Sequence, residues 1–427
     1  MQSSRNVTRK PITLRRDPAI PNPLITGAKN NGDRNFQPWL SCLRDPATGR
    51  FRFWYNIGVD PATSLLGYLE SDDGIRWQRP PRQLAKPDNI VFGAAVIDEG
   101  ADFPVAAERF KMAFFAKAGR VEIWSSPDGF DWKFLAAGPR PTNDIVNLAR
   151  DTARHRYIVT HGTPAVKADG YVGLAPKGGI RRMIGQSVSQ DLKRWTPVRR
   201  IIMPGNKDEG ITEYYGMGGL RNRGELIVGM IKVLRDDLPC NPGGRKEGIG
   251  YTTVAWTHDG ENWLRERVPL LDRDHAPDSW DHSHAWVDVQ LPVGDEVFLY
   301  YGGYKRGHKI NRFEERQVGL VKMKRDRYVA REAGDEPGRL VTPPVILAAE
   351  RMRLNFEPAA RGEARVQVTE ADGRPIEGFR FEDCRPVTAD AVAAPVEWKR
   401  PLGELKGRPV RLEFSFRLAR LYEFDLQ

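Results

Sequence analysis

Three observations on this sequence predict one fold class: all-β, a five-bladed β-propeller followed by a C-terminal antiparallel β-sandwich. The first is a repeated hairpin phrase: SDDGIRW ending at Trp77, SSPDGFDW at Trp132, SVSQDLKRW at Trp195 and TVAWTHDGENW at Trp263. In each, an alternating apolar run enters a polar turn, usually Asp-Gly, which supplies the positive φ that a tight hairpin needs. The second is spacing. These Trp residues stand 55, 63 and 68 positions apart, room for one four-stranded sheet each, and self-similarity at such a period marks a propeller or solenoid. The third is that no long stretch shows helical apolar periodicity.

Taken in order, residues 1–30 are rich in Pro and Arg and are expected to form an extended arm. The first unit follows from Phe36, with FQPWLSCLRDPATGRFRFWYNIG and LLGYLESDDGIRWQRP. Further units begin near Ile90, Asp144, Glu213 and Asp281, and in the fifth Tyr328 takes the place of the hairpin Trp. The propeller is therefore expected over 31–337. From 338 to 427 the phrases RMRLNFEP, ARVQVTEADGRPIEGF and RPVRLEFSFRLARLYEFDL alternate between Asp-Gly and Lys-Gly turns, which suits a compact sandwich that braces the propeller.

Composition narrows the function classes. Of 427 residues, 40% are hydrophobic and 29% charged, as in a soluble globular chain, and no run approaches the ~18 apolar residues of a membrane span. The segment MQSSRNVTRKPITLRRDP carries positive charge with no apolar stretch behind it, so no secretory signal is expected, which leaves a cytoplasmic or a mature secreted bacterial protein. Cys42, Cys240 and Cys384 are far apart and form neither a disulfide framework nor a CxxC pair. The net charge of +10 suits an anionic partner, yet Lys and Arg are scattered, with only short pairs such as Arg181-Arg182 and Arg199-Arg200. That pattern argues against nucleic acid and for a solvated basic surface.

Radial repetition brings the starts of the innermost strands together around one channel. Those positions read Asp33, then Asp98 with Asp102, then Asp144, Glu213 and Asp281. A ring of carboxylates in a sugar-sized hollow meets the needs of glycosidic cleavage: one group protonates the leaving oxygen while another attacks or activates water. Crowded like charges supply the pKa shift. Trp39, Tyr214, Tyr215, Trp280 and Trp286 are the candidate aromatic faces for sugar, and ordinary core packing is the competing reading of each. His282 and His284 share a strand face; with Asp281 and Glu213 they would be the donors for Ca²⁺ or Zn²⁺, whereas contact with sugar hydroxyls is preferred for His284 and His308. No metal or other cofactor is therefore expected. Arg181, Arg182, Lys305, Arg306 and Arg316 are candidates for a carboxylate, sulfate or phosphate on the substrate.

The unit layout, the hairpins and the phrases ERFKMAFF, RHRYIV and GDEVFLYYGGYKRGH resemble the five-bladed-propeller glycoside hydrolases, the group that includes families 32, 43, 68, 117 and 130. The resemblance implies a carbohydrate substrate and three acidic residues on the first few blades. By position Asp33, Asp144 and Glu213 match, as nucleophile or base, tuning residue and acid, with Asp98 or Asp102 as rivals for the middle role. The family 32 box Trp-Met-Asn-Asp-Pro-Asn is missing, because Asp33 sits in NNGDRNFQP, and Glu213 is followed by Tyr214 rather than Cys. Phosphorolysis, as in family 130, and sugar binding without catalysis are the alternatives to hydrolysis.

Overall fold

The computed structural model describes residues 3–26, 36–60, 63–82, 84, 87–140, 145–165, 181–310 and 315–427. The fold is all-β. Two compact units divide it: one holds Met1–Ile12, Gly294–Val297 and Met323–Gln427, the other Thr13–Val293 and Phe298–Lys322.

Ser3–Arg5 (β1) and Thr8–Pro11 (β2) open the chain. The larger unit then begins with a three-stranded antiparallel sheet, β3 (Phe36–Arg44), β4 (Phe51–Asp60) and β5 (Thr63–Ser71). Two four-stranded sheets follow: β6 (Ile90–Asp98), β7 (Phe110–Ala116), β8 (Arg120–Ser126) and β9 (Lys133–Ala137), then β10 (Val146–Asp151), β11 (Arg156–Ala165), β12 (Arg181–Ser189) and β13 (Arg199–Ile202). The next set is β14 (Thr212–Arg223), β15 (Leu226–Arg235), β16 (Ile249–Thr257) and the short β17 (Leu264–Arg265). It joins β18 (His284–Val293), β19 (Glu296–Tyr304) and β20 (Gln317–Lys324) through one parallel bridge between Gly250 and His284.

The first strand of each set lies against the first strand of the next: β3 by β6, β6 by β10, β10 by β14, β14 by β18, and β18 by β3 again. Apolar side chains fill the wedges between sheets. Trp54, fully buried, packs edge-on to Tyr68 and donates its indole N–H to the carbonyl of Gly129 at 3.0 Å. The last set meets the first through Phe298 stacked on Phe51 and the Tyr300 hydroxyl donating to the Gly74 carbonyl at 2.8 Å. Segment 13–26 adds an edge to β20, where Leu24 and Ile25 exchange backbone bonds with Val318 and the Asn22 side chain pairs with the backbone of Leu320.

The repeated phrase is an Asx turn. Asp73 Oδ1 accepts the N–H groups of Ile75 and Arg76, both at 2.8 Å, while Ser71 Oγ accepts that of Gly74 at 2.9 Å. Asp128, Asp191 and Asp259 repeat the arrangement. Those backbone donors hold the Asp191 and Asp259 carboxyls below the usual carboxylate range. The residue after each Asp has positive φ, and Leu192 takes it at 63° where the other three copies use Gly. This turn also differs from the expected fifth hairpin: Val329–Ala333 (β21), which follows Tyr328, pairs with β2 and not with β20.

The smaller unit is one hydrogen-bonded eight-stranded sheet. Its remaining strands are Gly338–Val341 (β22), Val345–Ile346 (β23), Met352–Glu370 (β24), Ala391–Val396 (β25) and Pro409–Leu426 (β26). β1 and β2, expected in an independent arm, are strands of this sheet, paired with β22 and β21. The long strands β24 and β26 pair antiparallel through two irregularities, at Asn355/Phe356 and Pro358/Glu363, and their alternating residues Leu354, Val366, Val368, Leu412, Phe414 and Phe416 form its core.

Candidate functional site

Glu213 is the second residue of β14 and is 2% exposed. Its Oε2 accepts the backbone N–H of Arg182 at 3.1 Å and the guanidinium Nη1 of the same residue at 3.0 Å, and no partner for Oε1 is recorded among the described residues. The Arg182 guanidinium also lies 4.7 Å over the ring of Tyr215. Tyr215 stacks on Trp286 at 4.8 Å and stands edge-on to His308 at 4.9 Å. His284 continues the cluster, edge-on to Trp286 at 4.7 Å and stacked on Tyr304 at 4.1 Å, with Arg316 over the Tyr304 ring at 5.0 Å.

Local backbone features make this assembly possible. A register shift between Tyr214 and Gly216 bulges β14 at Tyr215, which re-aims the side chains on either side. Tyr214 and Met217, three apart, thus share one apolar cluster, while Glu213 and Tyr215 reach Arg182 and Trp286. On β16, Gly250 is required by close approach: a Cβ there would stand 2.4 Å from His284 Cδ2 and 2.5 Å from Trp286 Nε1.

The Ser283 hydroxyl donates to the Tyr304 carbonyl at 2.8 Å and lies 2.6 Å from His284 Nδ1. A hydroxyl has one proton, so it must accept from Nδ1–H. This network assigns neutral His284 to the Nδ1–H tautomer and leaves Nε2 as the acceptor nitrogen.

Beside the cluster, the buried Lys232 ammonium donates to the buried Asp288 carboxylate. Burial pushes the lysine down to about 8, against the opposing pull of Asp288. Asp288 also lines a cavity of about 260 Å³ bounded by all five first strands. The lining comes from the later residues of β3, β6 and β14, Asp98 and Asn222 among them, and from the body of β10 and β18, Asn147 and Gln290 among them; Glu213, second in β14, lies toward the other, entry end of its strand.

The expected site residues distribute unevenly. Asp33 and Asp144 lie outside the described residues, and Trp39 is on β3 with its side chain outside the description. Glu213, His284 and His308 come together in the cluster, where the histidines are 0% and 6% exposed, His308 packing on Tyr215 and His284 on Tyr304. Asp98 does not open its strand: it closes β6 and is held by Arg109 at 2.7 and 2.6 Å, because the strand has already run from Ile90. Asp102 is in the exposed turn beyond it. Asp281, fully buried, has its oxygens engaged by Arg16, Tyr301 and Ser279. Arg181 is buried with its guanidinium on the Thr212 carbonyl. Tyr214 points to the other face of β14, under the Arg265 guanidinium at 4.7 Å, in a separate cavity of about 240 Å³.

Sequence reading passed over Lys232, Asp288, Tyr304 and Gly250. The first two carried a usable signal, a single charge inside the otherwise apolar strands LIVGMIKVL and AWVDVQL. Among the described residues no group of three His, Cys, Asp or Glu side chains is arranged to hold a metal ion.

No family model and no curated protein matches the chain. Among solved structures the chain is similar to a glycosyl hydrolase from Bacteroides ovatus, at 15% identity and a TM-score of 0.48 over 74% of this chain and 95% of that one. It is likewise similar to the β-1,2-mannobiose phosphorylase of Listeria innocua, at 14% identity and a TM-score of 0.46 over 71% of this chain and 95% of the other. A third similar chain is described as a glycoside hydrolase, at 14% identity and a TM-score of 0.47, with 74% of this chain and 93% of that chain covered.

Proposed function

We propose that the larger unit is a five-bladed β-propeller and that the chain is a carbohydrate-active enzyme cleaving a glycosidic bond at the entry end of the first strands. The propeller reading is supported by the order of those strands, each beside the next and the fifth beside the first. For the smaller unit we propose a sandwich, in which β24 and β26 bend at their irregularities and contribute to two layers.

One observation carries the functional reading: a carboxylate with one oxygen held by Arg182 and the other unengaged among the described residues, set beside the half-buried ring of Tyr215. Glu213 Oε2 is positioned by Arg182, and Oε1 delivers a proton to the leaving oxygen of a sugar stacked on Tyr215. Asp33 and Asp144 take the complementary carboxylate roles that the sequence resemblance implies, one as nucleophile or base toward the anomeric carbon and one as tuning residue. A hydrolase closes the reaction with water. The partly exposed Arg182 guanidinium beside the cluster supports phosphate as the second reading of the acceptor.

The test is a panel of oligosaccharides incubated with and without inorganic phosphate, using the native chain and Glu213→Gln. Cleavage without phosphate supports hydrolysis, cleavage only with phosphate supports phosphorolysis, and equal turnover by Glu213→Gln removes Glu213 from the chemistry.

A further inference from the structure

The Asp281 carboxylate is fully buried three residues before His284. A buried carboxylate needs an opposing charge and hydrogen bonds for its oxygens. Here Ser279 Oγ donates to Oδ1 at 2.6 Å, and Tyr301 Oη donates to Oδ2 at 2.9 Å. The charge comes from Arg16, more than 260 positions away in sequence, whose Nε donates to Oδ2 at 2.7 Å. The same guanidinium donates through Nη2 to the Asp272 carbonyl at 2.9 Å. One side chain thus pins both ends of the loop between β17 and β18, whose middle residues, His275 to Asp278, are exposed. Arg16 is itself anchored, since Thr13 Oγ1 donates to the Pro269 carbonyl at 2.8 Å and Leu14 N–H to the Leu270 carbonyl at 2.7 Å.

From Asp281 the connection to the site is short. His282 bridges the Asp274 carbonyl and the Asn241 side chain, both at 2.9 Å, and Ser283 holds the Nδ1 proton of His284. We infer that Arg16 is a positioning residue: through Asp281 it fixes the 272–283 loop, and through Ser283 it fixes the ring orientation and tautomer of His284. The inference deepens the proposed site, whose aromatic cluster His284 joins through Trp286, and rests on that reading for its functional meaning. Without the guanidinium, Asp281 is left as a buried uncompensated charge, and the loop with exposed middle residues is the cheapest part of the structure to open toward water. Opening frees Ser283 from Tyr304, and His284 then exchanges between tautomers.

The experiment uses the full chain labelled with ¹⁵N-histidine, His284 being assigned by the signal missing from His284→Gln. Ring nitrogen shifts report the tautomer, and hydrogen exchange reports peptides spanning 272–284. In the native chain His284 shows the Nδ1–H pattern. In Arg16→Gln that pattern collapses to an exchange average and the loop exchanges at least ~10-fold faster, as expected for a locally opened segment. Arg82→Gln, which removes an exposed ion pair with Asp128, leaves both readouts alone and controls for general destabilisation. Should Arg16→Gln fail to fold, Arg16→Lys keeps the charge but not the two-pronged grip, and shows the same changes more weakly. Unaltered His284 signals and loop exchange in whichever variant folds overturn the inference. No sugar enters these measurements, so a chain that cleaves no glycoside would lose the functional reading alone.

Discussion

The two ends of the first strands solve the burial of charge differently. At the exit end Asp98 pairs with Arg109, and Asp151 with Arg154 and Arg156, near neighbours in sequence, while Glu99 reaches Arg150 of β10. Their arginines are partly exposed, and such pairs cap hairpins. At the entry end Glu213 of β14 meets Arg182 of β12, in a different sheet, with the carboxylate 2% exposed. Midway along β18, Asp288 meets Lys232 of β15, both side chains buried. Charge buried against distant partners costs stability unless the geometry is well made. In the Glu213–Arg182 pair one carboxylate oxygen stays unengaged among the described residues, and the proposed function rests on that.

The contrast is broken most severely at Glu213. Glu213→Gln preserves shape and loses the transferable proton, so turnover should fall by about 10²- to 10⁴-fold with little change in melting temperature. Lys232→Met should act on stability instead. It strands the Asp288 carboxylate in the interior, at a cost of about 3–5 kcal/mol by denaturant unfolding. The same lysine sets a pH signature. Its folded value of about 8 lies below its ordinary 10.5, so between those limits the unfolded chain binds more protons and stability rises with pH. The rise from this group is up to about 3 kcal/mol, complete near pH 10.5, and it should be missing from Lys232→Met. A native chain whose unfolding free energy falls steadily from pH 8 to 10 would contradict that placement.

These expectations differ in how far the sequence foreshadowed them. The four hairpins were legible because their chemistry is local: Asp73, Asp128, Asp191 and Asp259 each bind backbone groups two and three residues ahead. Glu213 was legible as an acid near a strand start. What sequence could not show is non-local. The bulge at Tyr215 leaves no mark in composition, although it decides which of Tyr214 and Tyr215 faces the cluster. Asp98 misled because DEGADFP looks like the entrance to a strand when it is the turn that follows one. Asp281 and Arg16 are each unremarkable charges until the fold brings them together.

Gly250→Ala gives a smaller effect than either charge substitution. Its methyl would press on both His284 and Trp286, costing about 1–3 kcal/mol as overpacking. It should also lower sugar affinity by displacing the stack under Tyr215. Titration of Trp fluorescence with the best oligosaccharide of the panel reads this, and unchanged affinity would separate the stack from binding.

The smallest effect belongs to Asp98→Asn at the exit end, and it is the sharpest check on the comparison. The amide oxygen still accepts the Gly100 N–H, and Arg109 keeps its place over the Phe110 ring at 4.9 Å. What is lost is the charge of a partly exposed ion pair, worth roughly 0–1 kcal/mol. Turnover should match the native chain, since no entry-end side chain touches this pair. If Asp98→Asn abolished activity while Glu213→Gln retained it, the cavity mouth bounded by Asp98, Asn147, Asn222 and Gln290 would be the working end of the channel. Glu213 and Arg182 would then be a buried structural pair in the wall.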